Sequence, residues 1–552
     1  FLSINCGSSS LKPHTDDNTI VWVGDNPNYI QSGETHKVMI DPPNVNAWDS
    51  HVMSTLRAFP TRKKNCYSID IEDKDEDATN TTVERVLVRA SFYYGNYDDK
   101  STPPTFNLQF NGNSWSQIVT HQDNIIYTEM VYSLTKGTNI SICLAQTQPD
   151  NIPFISALEI RNLHPFAYRY VDSSYPVFFF ERFAFGANTT IRYYGDYYDR
   201  IWAPVHNIRV QSNLPYRQVN IDDNPLEALR TTLTQLREVK FDPSAPSVAA
   251  KTNFTNYDYP PDSTLRRAHL SGNLVYTGIS DPKIPIHYNA YFGHLNMLDS
   301  TEKGSFNILV NNKLDTTIWP NGPVDPPSGY LHVVYIRNVT SFAINSSYSI
   351  ALQPTSDSTI SPIINALEGF SIGDKLVRGT NSDDVYSLRL LQKSFVQLQD
   401  WNGDPCLPSP YTWDWVACNS EADSPRVTAL YLNDLGLEGI LPDFGAMDAL
   451  EIIDLHHNDL MQDIPDFLGL LPKVKVLNLA DNNFSGTIPS SLLNNVNLKV
   501  NASGNPNLSC TSTSICNTKS RIPSHGNGES SKTLAQPIIM LLLITFSGFL
   551  FM

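Results

Sequence analysis

Residues 85–99 read RVLVRASFYYGNYDD. In the first ten, Val86, Val88 and Ala90 alternate on one face, a period of two that predicts a half-buried β-strand. A second such pattern follows in TFNLQF (105–110), where Phe106, Leu108 and Phe110 alternate before a turn at Asn111-Gly112. That pairing of alternation with Asn-Gly is a hairpin signal. The same stretches then return. FYYGNY (92–97) recurs as AYFGHL (290–295), FNLQFNGN (106–113) as FNILVNNK (306–313), and PFISALEI (153–160) as PIINALEG (362–369). Three matches in the same order, offset by 198, 200 and 209 residues, predict a duplicated β domain of about 180 residues.

Two stretches read as helices. One is PLEALRTTLTQLRE (225–238) and the other SDDVYSLRLLQKSF (382–395), with Ser382 as N-cap, Asp383 and Asp384 in the first turn, and Val385, Leu388 and Leu391 on one face. Beyond them LYLNDLGLEGILP (430–442), IDLHHNDLMQDIP (453–465) and LNLADNNFSGTIP (477–489) share an LxL start that steps by 23 and then 24 residues, the leucine-rich-repeat period. One repeat cannot bury its own apolar face, so the stack needs caps. Cys406–Cys418 is expected to close the first cap and Cys510–Cys516 the last, with Asn458 and Asn482 as an asparagine ladder between. The expected fold is mainly β: sandwiches at 1–190 and 191–375, a linker helix and disulfide cap at 376–424, repeats with a C-terminal cap at 425–510, a linker at 511–536 and an apolar tail at 537–552.

The 552-residue chain has 39 basic and 56 acidic residues, a net charge of −17. Phosphate contact needs basic surface, so a nucleic-acid partner is not expected. Apolar residues at 41% and charged residues at 17% exclude a disordered polyelectrolyte and a multi-span membrane protein. Seven cysteines include no CxxC, which removes zinc-finger and thioredoxin patterns. Cys6, Cys66 and Cys143 cannot all pair among themselves; one stays free or pairs between chains. Sequons at Asn80, Asn139, Asn188, Asn253, Asn338, Asn345, Asn483, Asn501 and Asn507, with the paired cysteines, point to secretion and glycosylation. A start at Phe1 fits a removed signal peptide or a fragment. The tail PIIMLLLITFSGFLFM (537–552) would span about 24 Å as a helix, short of a hydrocarbon core. Behind Gly526, Asn527 and Gly528 and a polar spacer, it reads as a glycolipid-anchor signal attached at Gly526, with Gly528 and Ser530 as alternative residues; a short spanning anchor or a docked tail are the other readings.

INCGSS (4–9), LRAFP and KKNCYSI (56–69), VRASFYYGNYDD (88–99) and PFISALEI (153–160) resemble the malectin-like domain of plant cell-surface receptors. GDPC (403–406), with Trp401 before it and WDWVAC (413–418) after it, resembles the junction that precedes the repeats in symbiosis-type receptor kinases. The resemblance covers about residues 1–510, and those receptors continue into a kinase where this sequence has the apolar tail. It implies tandem malectin-like sandwiches before the solenoid, and signalling through a partner receptor kinase. By similarity to malectin, a lectin, Tyr93, Tyr94 and Asp150 would hold a sugar in the first copy, with Tyr291 and Phe292 as the aromatic pair of the second and Asp357 as its acid. Aromatic faces stack on a pyranose while a carboxylate accepts from hydroxyls. The blander expectation is that aromatics at strand ends pack the core.

Other clusters carry less. Asp70–Asp77 lacks the glycine and closing glutamate of a calcium loop and reads as a solvated turn. His456-His457 lacks HExxH spacing and reads as surface histidines. No GxSxG, P-loop or kinase glycine loop occurs, and no cofactor is expected. The expected function is non-enzymatic recognition of a carbohydrate or secreted peptide at the outer, apoplast-facing side of the plasma membrane, through a receptor kinase and a C-terminal membrane anchor. The alternatives are a cell-wall lectin acting alone and, more weakly, a glycan-processing enzyme.

Overall fold

The computed structural model describes residues 2–10, 12–43, 48–70, 83–135, 139–164, 167–169, 171–185, 187–204, 269–270, 274–279, 285–292, 305–318, 334–335, 347–359, 362–419, 424–509 and 513–516. The candidate helix 225–238 and the tail 537–552 lie outside them. Among the described residues no helix is long and apolar enough to cross a membrane.

The β region is built from strands β1 (Leu2–Asn5), β2 (Lys64–Ile69), β3 (Val83–Phe92), β4 (Thr105–Phe110), β5 (Asn113–Val119), β6 (Ile126–Thr135), β7 (Ile140–Gln146), β8 (Ala157–Leu163) and β9 (Val177–Ala184). It continues with β10 (Leu274–Ile279), β11 (His287–Phe292), β12 (Phe306–Val310), β13 (Lys313–Ile318), β14 (Ser347–Pro354) and β15 (Ala366–Ile372). Two four-stranded sheets have the same order, β2-β7-β4-β5 and β10-β14-β12-β13. Their hairpins share a bulge, at Leu108/Gln109 and Ile308/Leu309, 200 residues apart. Both turns take positive φ, at Asn111-Gly112 and at Asn311-Asn312, the conformation a two-residue hairpin requires.

The remaining seven strands belong to an 11-stranded sheet, in which they lie in the order β1-β8-β3-β6-β9-β15-β11. Strand β9 joins the halves: Glu129–Val131 of β6 pair with it on one side, and Ala366–Ile372 of β15 on the other. The expected border at residue 190 lies after β9, which pairs with both β6 and β15. One face of β3 carries Val86, Val88, Ala90 and Phe92 into a core with Leu108, Phe110, Ile142 and Leu144 of the smaller sheet. The other face, read from sequence as solvated, is buried too. Segment 192–204 lies against it, and Arg89 has no exposed surface.

An ion network there joins five buried arginines, Arg89, Arg161, Arg182, Arg192 and Arg200, to five buried carboxylates, Glu129, Glu159, Asp196, Asp199 and Glu368. Arg89 donates to Glu129 at 3.0 Å and to Glu159 at 3.2 Å, and Arg161 donates to Glu159 and Asp199, both at 2.7 Å. Arg192 reaches Asp199 at 2.7 Å and Glu159 at 2.6 Å. Arg182, on β9, bridges Glu129 of β6 and Glu368 of β15. An ion transferred alone to such a place costs several kcal/mol, so the face is tolerable only because the charges match and share donors.

The repeat region follows helix α1 (Ser382–Ser394), whose N-cap is Asn381 and not Ser382: the Asn381 side chain accepts from the Asp383 and Asp384 amides. Leu388 and Leu391 are buried in the repeat core, as expected, while Val385 is only half-buried. Asp384, expected as a first-turn charge, is instead buried. It accepts from Arg426 at 2.9 and 3.0 Å and from the Val427 amide at 2.8 Å, which ties the helix to the first repeat. Strands β16 (Val416–Cys418), β17 (Val427–Tyr431), β18 (Ile452–Asp454), β19 (Val476–Asn478) and β20 (Lys499–Asn501) form a sheet, parallel from β17 onward. Asn458 donates to the carbonyls of Leu432 and Leu455 and accepts from the Leu437 amide; Asn482 serves the next turn, and Asn505, not anticipated, the one after. Cys406 and Cys418 are bonded, as are Cys66 and Cys143, which leaves Cys6 free and buried. Cys516 is disulfide-bonded, and Cys510 lies outside the described residues.

Burial alone would raise the Asp199 carboxyl, but Arg192, Arg161 and Arg89 hold it far below the carboxylate range. A carboxyl lowered in the folded state stabilises above its unfolded value of about 3.9, and that contribution is lost as pH falls toward the folded value. Replacing Asp199 by Asn leaves three guanidiniums short of a partner and is expected to cost about 3–5 kcal/mol at neutral pH. Chemical denaturation at pH 7 and pH 3.5 checks both points, since the gap between wild type and D199N should narrow in acid. A loss below 1 kcal/mol at pH 7, on the scale of an exposed pair, would contradict the role given to this face.

Candidate recognition surface

The aromatic pair expected to face a sugar lies inside the protein. Tyr94 belongs to the main core, and its hydroxyl donates to Asp98 at 2.5 Å. Tyr93 packs with Trp22, Val52 and Met53, and its hydroxyl donates to the Asp41 carbonyl at 3.0 Å. Burial raises the pKa of both phenols. Asp150 is exposed in the turn after β7, and among the described residues no hydrogen bond links it to either tyrosine. Tyr291 is buried edge-on against Trp202, and its hydroxyl donates to Glu368 at 3.4 Å. Phe292 closes β11, with its side chain outside the described residues. Asp357 is exposed and accepts from Thr355 at 2.7 Å. The Tyr93, Tyr94 and Tyr291 rings are thus packed inside the protein, as aromatics that close a core at strand ends are.

Exposed aromatic surface occurs elsewhere, in RYYGDYYDR (192–200). Here the usual partition is inverted. Arg192, Asp196, Asp199 and Arg200 are buried in the ion network, while Tyr194 and Tyr197 are each 77% exposed. The inward charges fix the loop. Tyr193 N donates to Asp199 at 3.2 Å, Tyr198 N to Asp196 at 2.9 Å, and Trp202 Nε1 to Asp196 at 2.7 Å. Trp48 lies beneath Arg192 at 5.6 Å, beside the partly buried Tyr193. Two rigidly presented phenols give large amphipathic contact area at low entropic cost. The signal was present in the sequence: four tyrosines in six residues, with the Tyr-Tyr-Gly of 93–95 repeated at 193–195.

The second feature is the GDPC junction. Gly403, at φ +79°, rests on the Cys66–Cys143 disulfide, and a Cβ there would lie 2.5 Å from Cys66 Sγ. Only glycine fits that approach. Asp404 accepts from Thr380 N at 2.8 Å, Cys406 N at 2.9 Å and Leu407 N at 2.8 Å, which holds the loop. Around it Arg62 donates to Asp400 at 2.8 Å and stacks over Trp401, and Asn107 donates to Tyr411 at 3.0 Å. Lys64 donates to the carbonyls of Asp404 at 2.6 Å and Leu407 at 3.1 Å. The outer face of sheet β2-β7-β4-β5 is thus covered by the segment leading into the repeats.

Of the sequons, Asn188, Asn483 and Asn507 are exposed, whereas Asn501 is half-buried. Asn139 is engaged: its amide nitrogen donates to Ser68 at 3.0 Å and Asp70 at 2.7 Å. Asn80, Asn253, Asn338 and Asn345, the Gly526 attachment point and most of the 70–77 acidic run lie outside the described residues.

A model of the malectin-like domain matches residues 4–372. The chain belongs to the malectin-like family. It is 27% identical over 451 residues to the probable LRR receptor-like serine/threonine-protein kinase MEE39 of Arabidopsis thaliana, covering 80% of this chain and 45% of that one. It is 27% identical over 551 residues to the probable LRR receptor-like serine/threonine-protein kinase At1g51820 of the same plant, covering 98% and 55%. The chain spans about half the length of the curated relatives it matches. The ANX1 ectodomain from Arabidopsis thaliana shares the fold, with a TM-score of 0.52 at 15% identity over 68% of this chain and 96% of that one. This malectin-like chain is therefore related to the ectodomain portion of plant receptor kinases.

Two junction tests follow from the malectin-like geometry. Gly403→Ala meets the disulfide and strains the left-handed backbone, so it should cost about 1–3 kcal/mol and speed proteolysis between residues 395 and 412. Cleavage and denaturation midpoints equal to wild type would count against docking. Burial draws the Lys64 ammonium down to about 8, against the pull of Asp404 and Asp414. Its folded value lies below its unfolded one, so the folded state sheds the proton first and stability from this group rises with pH through that interval. Relative to Lys64→Met, the wild type should gain stability between pH 7 and pH 9, by less than about 1.4 kcal/mol per pH unit; parallel pH profiles would refute this.

Proposed function

We propose that this chain is a non-enzymatic recognition ectodomain of the receptor type, which binds a carbohydrate or secreted peptide at the apoplast-facing surface of the plasma membrane and acts through a receptor kinase. The observation that carries the reading is the malectin-like match over residues 4–372, within an alignment to receptor-like kinases that extends over the repeats. In this reading residues 1–190 and 191–375 are tandem malectin-like sandwiches that share β9, residues 376–424 are a linker helix and disulfide cap, residues 425–510 are leucine-rich repeats with a C-terminal cap, and the tail 537–552 is a glycolipid-anchor signal that is exchanged at Gly526 for the lipid holding the chain to the membrane. The matching strand orders and the 200-residue offset of the hairpin bulges support the tandem assignment. The continuous sheet and the docked junction support a body that transmits load from ligand to repeats.

The ligand surface is assigned to Tyr194 and Tyr197, in preference to Tyr93, Tyr94, Asp150, Tyr291 and Phe292, because the former are exposed and rigidly held. Paired phenols favour the apolar face of a pyranose or an aliphatic peptide side chain. A lectin acting alone remains the second reading, favoured by the same exposed rings. The experiment is affinity capture from plasma-membrane extract and on a wall-glycan array, with wild type and the Y194A/Y197A double variant. Capture of a receptor kinase supports the first reading, and saturable glycan binding without one supports the second. The double variant should keep its stability within about 0.5 kcal/mol, as exposed substitutions do, while binding falls at least tenfold. Undiminished binding by the folded double variant would remove these residues from the surface.

A further inference from the structure

Successive turns of the repeat region place Asp434, His457 and Asp481 at the same position, 23 and 24 residues apart, each with left-handed backbone at φ 57°, 54° and 54°. The ladder sets His457 between two carboxylates. Its Nδ1 lies 3.1 Å from Asp434 Oδ1 and its Nε2 lies 3.1 Å from Asp481 Oδ2. The preceding residue, His456, is oriented in the same sense. Its Nδ1 sits 2.6 Å from Asp454 Oδ1, a buried carboxylate, and its Nε2 faces Asp434 Oδ2 at 3.7 Å.

Each histidine therefore has one nitrogen held by a carboxylate of its own and turns the other nitrogen toward Asp434. With the protons on His456 Nδ1 and His457 Nε2, the two remaining lone pairs and the Asp434 carboxylate converge. The candidate ligand atoms all lie within 4.8 Å of one another. Bonds of about 2.0–2.1 Å in a tetrahedral site put neighbouring ligand atoms about 3.3 Å apart, close to the 3.1 Å from His457 Nδ1 to Asp434 Oδ1 and the 3.7 Å from His456 Nε2 to Asp434 Oδ2, so an ion would be held by drawing the two imidazoles in around that carboxylate. A carboxylate on the outer nitrogen of a ligating histidine fixes its tautomer and raises its basicity, the arrangement typical of histidine–zinc sites. Asn433 further orients Asp434, donating to Oδ2 at 2.8 Å. Simple surface pairing would not require both imidazoles to direct their second nitrogen at one shared carboxylate.

We propose that Asp434, His456 and His457 form a binding site for a zinc-class divalent transition-metal ion on the repeat surface, with Asp454 and Asp481 as positioning residues. Two imidazoles and one carboxylate suit zinc or copper; calcium and magnesium prefer all-oxygen sets. Three protein ligands leave a fourth position open to water.

The test is calorimetric titration of the intact protein with zinc chloride in chelator-treated buffer, with cobalt(II) absorption reporting coordination. A zinc isotherm that H456A and H457A each weaken at least tenfold, with loss of the cobalt band, is expected. D454N should weaken zinc by about 10–100-fold and shift the cobalt band while circular dichroism stays unchanged, a signature that a purely structural role would not give. H14A/H51A alters the only other such cluster among the described residues, His14, Asp49 and His51, and should leave this site unaffected. Failure of wild type to bind micromolar zinc overturns the proposal. So does an isotherm unchanged in the folded H456A/H457A double variant, which would place the ion elsewhere.

Discussion

The β region depends on a charge-matched face that water does not reach. Arg182 stands on the strand shared by both halves and joins Glu129 on one side to Glu368 on the other. Because buried ions tolerate no mismatch, the network penalises any register in which β9 slips against β6 or β15. Its contribution is to specificity of pairing more than to raw stability, which comes from the apolar core on the opposite face. The same network reaches the surface. Arg192, Asp196 and Asp199 are at once its members and the fixings of the loop that displays Tyr194 and Tyr197. The buried ion network and the two exposed phenols thus share one nine-residue segment.

The matching hairpins and the stacked parallel strands were legible because local rules write them. Hairpin turns need particular residues at particular places, so FNLQFNGN and FNILVNNK announced equivalent structures, and the 23- and 24-residue steps announced the stack. Long-range partnership was not legible. Nothing in VFFFERFA (177–184) says that it will pair with both halves, and the charge of Arg89 reads as solvated unless the segment that covers it is known. Asn381 and Ser382 are both good caps; tertiary contact at Asp384 decides which begins the helix. Similarity to a lectin points to the tyrosines at 93 and 94, while the exposed pair a hundred residues on carries a similar local spelling.

The junction shows how a short motif can serve two bodies. Within GDPC the glycine meets the Cys66–Cys143 disulfide, the aspartate folds the loop upon Thr380, and the cysteine is bonded to Cys418 ahead of the parallel strands. Each residue type answers a separate requirement: absence of a side chain, a multiple acceptor, and a covalent link. Trp401 and Trp413 pack beside it, with their ring centroids 6.2 Å apart and the Arg62 guanidinium over Trp401.

That arrangement also sets an order of events during biogenesis. The sulfurs of Cys66 and Cys143 lie beneath Gly403, so an oxidising enzyme reaches them only while the later segment is still away. Chains emerge from the N-terminus and their domains close in that sequence. Covalent closure of the first module therefore precedes seating of the repeats, and a chain that seats them too early traps two thiols under a lid.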